Sequence, residues 1–168
     1  MLALSATASP AAAQAPLVID ADRAGVNAIG PFAVAQNPKV DAATAVFGAP
    51  TAVQEGGRGI SCTVRWDSVG LTVVFGNLGG GGSACQVGAA QAAVAAGPGW
   101  QTAAGLPIGG SVAQLRQLYP KAKRRGNSYW LFYERTPIAD NRLMSILTAR
   151  TAGGAVTSFK VWIGAAGE

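Results

Sequence analysis

Two stretches of this chain fall on one another at an offset of 72 residues, and that internal echo limits the available folds more than any other feature. Residues 37–50 read NPKVDAATAVFGAP, and residues 109–122 read GGSVAQLRQLYPKA. Val40 meets Val112, Ala43 meets Leu115, Val46 meets Leu118 and Phe47 meets Tyr119. Positions i, i+3, i+6 and i+7 lie on one face of a short helix. Ser111 suits an N-cap, and Asn37-Pro38 joins an N-cap residue type to a proline at the first helical position. Pro50 and Pro120 stop the two helices. At the same offset residues 71–75 fall on residues 143–147, so the echo extends beyond the helices.

Beyond each helix the chain reads as strands. Ile60, Cys62, Val64 and Trp66 alternate with Ser61, Thr63 and Arg65, the pattern of a half-buried strand. Residues 67–70 turn the chain into a second strand at 71–75, and residues 127–134 form a strand rich in aromatics. Another strand at 143–150 turns through 151–154 into a last one at 155–163. There Ala155, Thr157, Phe159, Val161 and Ile163 are the expected buried set, with Lys160 and Trp162 on the opposite face. Between the halves, 79–82 is a glycine loop, 86–96 reads as a strand end followed by a short alanine helix, and 97–99 breaks it.

The expected organisation is a signal-peptide remnant or disordered tail at 1–15, a first unit at 28–88, a connector at 89–104 and a second unit at 105–165. The expected fold class is α+β. Two tandem helix-then-antiparallel-strands repeats form one twisted antiparallel sheet, with helices on one face. Of the 168 residues 34 are Ala, so the 49% hydrophobic content supports only a modest core of larger side chains. No run of 18 apolar residues predicts a membrane span.

The front end reads MLALSATASPAAAQAP, an apolar small-residue stretch with cleavage patterns near Ala13 and Ala15. It lacks a basic residue ahead of it, since Arg23 is the first. Cys62 and Cys85 agree with export: with 22 residues between them and without metal-ligand partners, they read as one disulfide, the alternative being two buried thiols. The expected location is therefore outside the cell or in its envelope.

The chain has no His, which excludes serine and cysteine triads, most catalytic zinc sites and an imidazole pH switch. Gly76–Gly82 lacks the lysine and serine or threonine of a phosphate loop and reads as a plain loop. Glu134 and Asp140 can be drawn as an acid pair for a small secreted hydrolase, although surface carboxylates are common at such turns. No catalytic residue, metal ligand or cofactor is expected from any motif.

Charge is uneven. Residues 1–85 carry four basic and five acidic side chains, and residues 86–168 carry nine and three, so the +5 net charge belongs to the second half. Lys121, Lys123, Arg124 and Arg125 cluster after the second helix. They read as a solvated turn or as an anion-facing patch for nucleic acid, teichoic polymers or an acidic protein. For an exported chain nucleic acid is a poor partner. In 129–133 both parities are aromatic, so one aromatic set faces away from the core or is covered by loops. Tyr129, Tyr133 and Trp162, with Lys160, are the candidate binding residues.

The helix that runs from Gly109-Gly110-Ser111-Val112 to Leu118, echoed by Asn37 to Gly48, resembles the repeated unit of the β-lactamase inhibitor proteins. It is also similar to the single unit of the small lipoprotein of the outer-membrane barrel assembly machinery. The resemblance covers residues 30–165 and implies an antiparallel sheet that binds a protein partner on a concave face. Those inhibitors carry a disulfide in each unit, whereas this chain has Cys only in the first, and the lipoprotein's anchor Cys is missing. The resulting expectation is a non-catalytic secreted or envelope protein that recognises another such protein through an aromatic sheet face. The alternatives are the hydrolase and a self-associating envelope structural protein.

Overall fold

The computed structural model describes residues 15–77, 79, 81–136 and 142–164. The fold is mixed, mostly strands: an eight-stranded antiparallel sheet, a three-stranded mixed sheet and three short helices. The chain opens with β1 (Leu17–Ala21) and β2 (Val26–Ile29), then α1 (Val40–Phe47), β3 (Ala52–Gly56), β4 (Ser61–Trp66) and β5 (Leu71–Gly76). Next come α2 (Ala84–Val87), β6 (Ala89–Ala95) and β7 (Trp100–Thr102). The rest is α3 (Val112–Leu118), β8 (Lys123–Arg125), β9 (Ser128–Thr136), β10 (Arg142–Ala152) and β11 (Ala155–Trp162).

The large sheet has the order β3-β4-β5-β6-β11-β10-β9-β8. Its two sides separate cleanly along rows of directly paired residues, because residues paired across antiparallel strands share a face. Tyr129, Ala149, Phe159, Ala95, Leu71 and Trp66 form one such row through six strands, and all six are buried. From Tyr129 to Leu71 alanine alternates with large side chains, so Phe159 and Leu71 close over Ala95 without crowding. The helices pack on this side. Phe47 of α1 lies 5.5 Å from the Trp66 ring, and Tyr119, just past α3, meets Phe132 edge-on at 5.6 Å. The Cys62–Cys85 disulfide ties α2 to β4, with Cα atoms 5.0 Å apart.

The small sheet, ordered β2-β1-β7, departs from the single expected sheet. β1 pairs parallel with β7, Leu17 facing Trp100 and Ile19 facing Thr102. Its Ile19, Ile29 and Trp100 are fully buried in the same core cluster as the large sheet. The residues expected to connect two units, 89–104, thus hold both a central strand of the large sheet and an edge strand of the small one. The expected order of strand end then alanine helix is reversed: α2 comes first, and Ala89–Ala95 is strand β6. Alanine favours helix, but neighbours β5 and β11 saturate both edges of β6, and pairing overrides propensity.

Helix capping follows the sequence in one case of two. The Ser111 hydroxyl accepts from the Gln114 amide at 3.1 Å. At α1 the N-cap is Lys39 with no side-chain bond, and Asn37 instead accepts from the Lys39 amide at 3.3 Å.

Candidate functional site

The other side of the large sheet carries a second row, one residue from every strand. Ala52, Arg65, Thr72, Val94, Lys160, Thr148, Trp130 and Lys123 are paired in succession from edge to edge. None of the eight is buried. The aromatic contacts Phe47–Trp66 and Tyr119–Phe132 lie on the opposite face, and among the described residues this second row stays at least partly exposed.

The two halves of the open face differ chemically. On β3 to β6 the side chains are mostly neutral: Gln54, Thr63, Thr72, Val74 and Val94. Arg65 is there too, but Asp67 neutralises it, Arg65 Nε donating to Oδ1 at 2.8 Å. That hydrogen bond and the carboxylate's charge raise the guanidinium pKa above its ordinary value. It is the only ion pair among the described residues.

On β8 to β11 the face is cationic and aromatic. Arg125, Trp130, Thr148, Arg150, Lys160 and Trp162 line one shallow depression, and no carboxylate contributes to it. The Arg125 guanidinium carbon sits 5.0 Å from the Trp130 ring centroid, and Lys123 Nζ sits 4.5 Å from that of Tyr133. Such stacking is attractive and holds a long side chain in place. Ser145 and Thr148 share a hydroxyl hydrogen bond of 2.6 Å in the floor.

Two register shifts bracket Leu147 where β9 pairs with β10. They break the simple alternation of β9. Trp130 of the open face has Tyr133 beside it at 6.5 Å, while Phe132 meets Tyr119 on the core side. A bulge re-aims side chains in this way.

The structure brings Lys160 and Trp162 into the open-face depression, Trp162 being 39% exposed, and sets Tyr133 beside Trp130, where it lines the neighbouring cleft with Tyr119 and Phe132. Tyr129 is not with them. It is 5% exposed and points into the core, where Arg116 of α3 lies over its ring at 6.0 Å. The sequence reading missed Trp130 and Arg150, which complete the depression. Alternation counted along β9 from Tyr133 does not reach Trp130, because the register shifts fall between them.

The basic cluster divides. Lys123 and Arg125 join the open face, Arg124 turns back so that its Nε donates to the Gly126 carbonyl at 3.1 Å, and Lys121 sits in the turn after α3. The Lys121 carbonyl accepts from the Tyr133 hydroxyl at 3.4 Å. Beside it a cleft of much the same size has apolar walls from Leu118, Tyr119, Leu131, Phe132 and Tyr133, with Arg23 and Lys121 at its rim.

In β11 Phe159 and Val161 are buried as expected, but Thr157 is exposed and Val156 is buried instead. The register shift at Arg150/Thr151 inverts the parity at the start of that strand. Glu134 is exposed on β9, Asp140 lies outside the described residues, and so does residue range 1–14 of the expected signal segment. Among the described residues no three His, Cys, Asp or Glu side chains cluster as metal ligands would, and no helix is long and apolar enough to cross a membrane.

No protein-family model, curated protein or solved structure matches this chain.

Proposed function

We propose that this chain is a non-catalytic binding protein of the extracellular space or cell envelope that recognises a protein partner through the open face of its eight-stranded sheet. The observation that carries the reading is the depression on β8 to β11, where Trp130, Trp162 and Lys160 stand together outside the core. Tryptophan and arginine are typical of residues that dominate protein interfaces, and Arg125 and Arg150 line the same depression. The disulfide agrees with an oxidising compartment.

The finer fold belongs to the same proposal. We read the molecule as two tandem units: α1 followed by β3 to β6, and α3 followed by β8 to β11, abutting at the antiparallel β6/β11 pair. The sequence echo between α1 and α3 and between β5 and β10 supports a duplication. A continuous two-unit sheet with one face free is also what the resemblance to β-lactamase inhibitor proteins implies, and it makes a secreted enzyme one candidate partner.

A hydrolase is the weaker reading, because no carboxylate lines the depression or the neighbouring cleft. Self-association through the aromatic face is disfavoured by charge. A two-fold contact there sets Lys160 and Arg150 of one copy against the same cations of the other.

Capture from culture medium on immobilised protein tests the reading. The expected result is a species retained by the parent and by Val46→Ser, whose side chain is exposed on α1, but lost from Trp130→Ala/Trp162→Ala. Equal retention by the double tryptophan variant overturns it.

A further inference from the structure

We infer that the partner surface docking on β8 to β11 is acidic protein, its carboxylates seated among Lys123, Arg125, Arg150 and Lys160; this rests on the proposed role of the open sheet face. Edge protection is the ordinary explanation for a basic strand such as β8, whose three residues are all exposed cations. It does not reach further in. Arg150 is on β10 and Lys160 on β11, the third and fourth strands from that edge, where both strand edges are already paired. Positive charge therefore extends across the face where no edge needs guarding. Among the described residues none of these four cations makes an ion pair, the one pair there being on the other half of the sheet.

Like charges gathered without counter-charges repel, and a partner that relieves the repulsion gains affinity and association rate. The stacking decides between classes of anion. A single-stranded nucleic acid binds such a sheet by laying bases on aromatic faces. Here Arg125 lies 5.0 Å from the Trp130 ring centroid and Lys123 lies 4.5 Å from that of Tyr133, so a base stacking on either ring competes with a cation the chain already holds there. Trp162, 39% exposed in the same depression as Lys160, offers an apolar anchor flanked by carboxylates.

Fluorescence anisotropy with two labelled probes of equal length, an oligoglutamate peptide and oligodeoxythymidylate, tests the inference on the full chain. The peptide is expected to bind the parent more tightly than the oligonucleotide. Arg150→Glu/Lys160→Glu is expected to weaken it about tenfold or more. Arg23→Glu/Arg58→Glu, the same charge change at exposed sites elsewhere, is expected to leave it within about twofold. Should the charge-reversed protein misfold, the parent still reports, since its affinity must fall steeply as salt rises from about 50 to about 300 mM. Peptide binding that is absent or salt-independent, tighter nucleotide binding, or equal loss in the two double variants each overturns the inference. A captured partner that survives Arg150→Glu/Lys160→Glu but not Trp130→Ala/Trp162→Ala sinks the acidic partner and leaves the sheet-face reading standing.

Discussion

The indole of Trp100 donates a hydrogen bond of 2.6 Å to the main-chain carbonyl of Val69, joining β7 of the small sheet to the turn between β4 and β5. Both the donor and its ring are fully out of water, and Phe47 of α1 packs against the ring at 6.5 Å. Trp100→Phe keeps most of the packing and strands the Val69 carbonyl. A loss of about 1–2 kcal/mol is expected in urea unfolding, since the acceptor left without its partner is only partly buried. Trp100→Ala adds a cavity and should cost about 3–5 kcal/mol. Equal midpoints for Trp100→Phe and parent would show that the bond contributes nothing.

The Cys62–Cys85 bridge closes a loop of sequence separation 23 between β4 and α2. Cys62→Ala/Cys85→Ala is expected to lose about 3 kcal/mol, chiefly by freeing the unfolded chain. A thiol assay on denatured, unreduced protein should detect no free thiol, and two thiols would refute the bridge.

Gly70 and Gly126 share a φ of 61° but not their surroundings. A methyl group on Gly126 meets nothing within 4 Å, whereas one on Gly70 runs into the backbone of Gly97. Gly126→Ala should cost only the left-handed conformation, about 1–2 kcal/mol. Gly70→Ala should cost clearly more, because it must also push two backbone segments apart. Thermal melts of the two variants compare them directly, and equal losses would mean that the Gly70–Gly97 approach is slack.

Burial raises the Tyr119 pKa above its ordinary value, against smaller opposing contributions from hydrogen bonds to the Thr102 side chain and the Ala104 backbone. Below the unfolded value of about 10 both states hold the proton, and stability does not depend on this group. Above it the unfolded chain releases the proton first, so stability falls as pH rises through the folded pKa. Tyr119→Phe should flatten that alkaline decline in denaturation midpoints measured from neutral pH upward. With no His in the chain, the same curve should show no histidine-type step between pH 5 and 8. A decline unchanged in Tyr119→Phe would assign it to other groups.

The parts of this fold that local chemistry determines were legible in the sequence. Ser111 caps α3, Asp67 to Gly70 turns β4 into β5, and the cysteines meet. The features that escaped depend on distant partners. β6 is a strand because β5 and β11 flank it, which no property of its alanines announces. β1 is ordered by β7, more than eighty residues away, and a parallel pair leaves no hairpin signal. The candidate site was half legible. Strict alternation finds Lys160 and Trp162, but it misplaces Tyr129 and passes over Trp130, because the register shifts around Leu147 reset the parity of β9.

The parallel pairing of β1 with β7 also has a consequence for a chain made or threaded from its N-terminus. β1 can zip to β2 at once, but its second edge stays bare until Trp100 arrives. The Cys62–Cys85 bridge needs only residues that come earlier, so oxidation can lock α2 onto β4 while that edge is still waiting. The first disulfide-closed species is then an incomplete one, with β6 lacking β11 and β1 lacking β7. Over that interval two open strand edges must be kept from pairing with other chains.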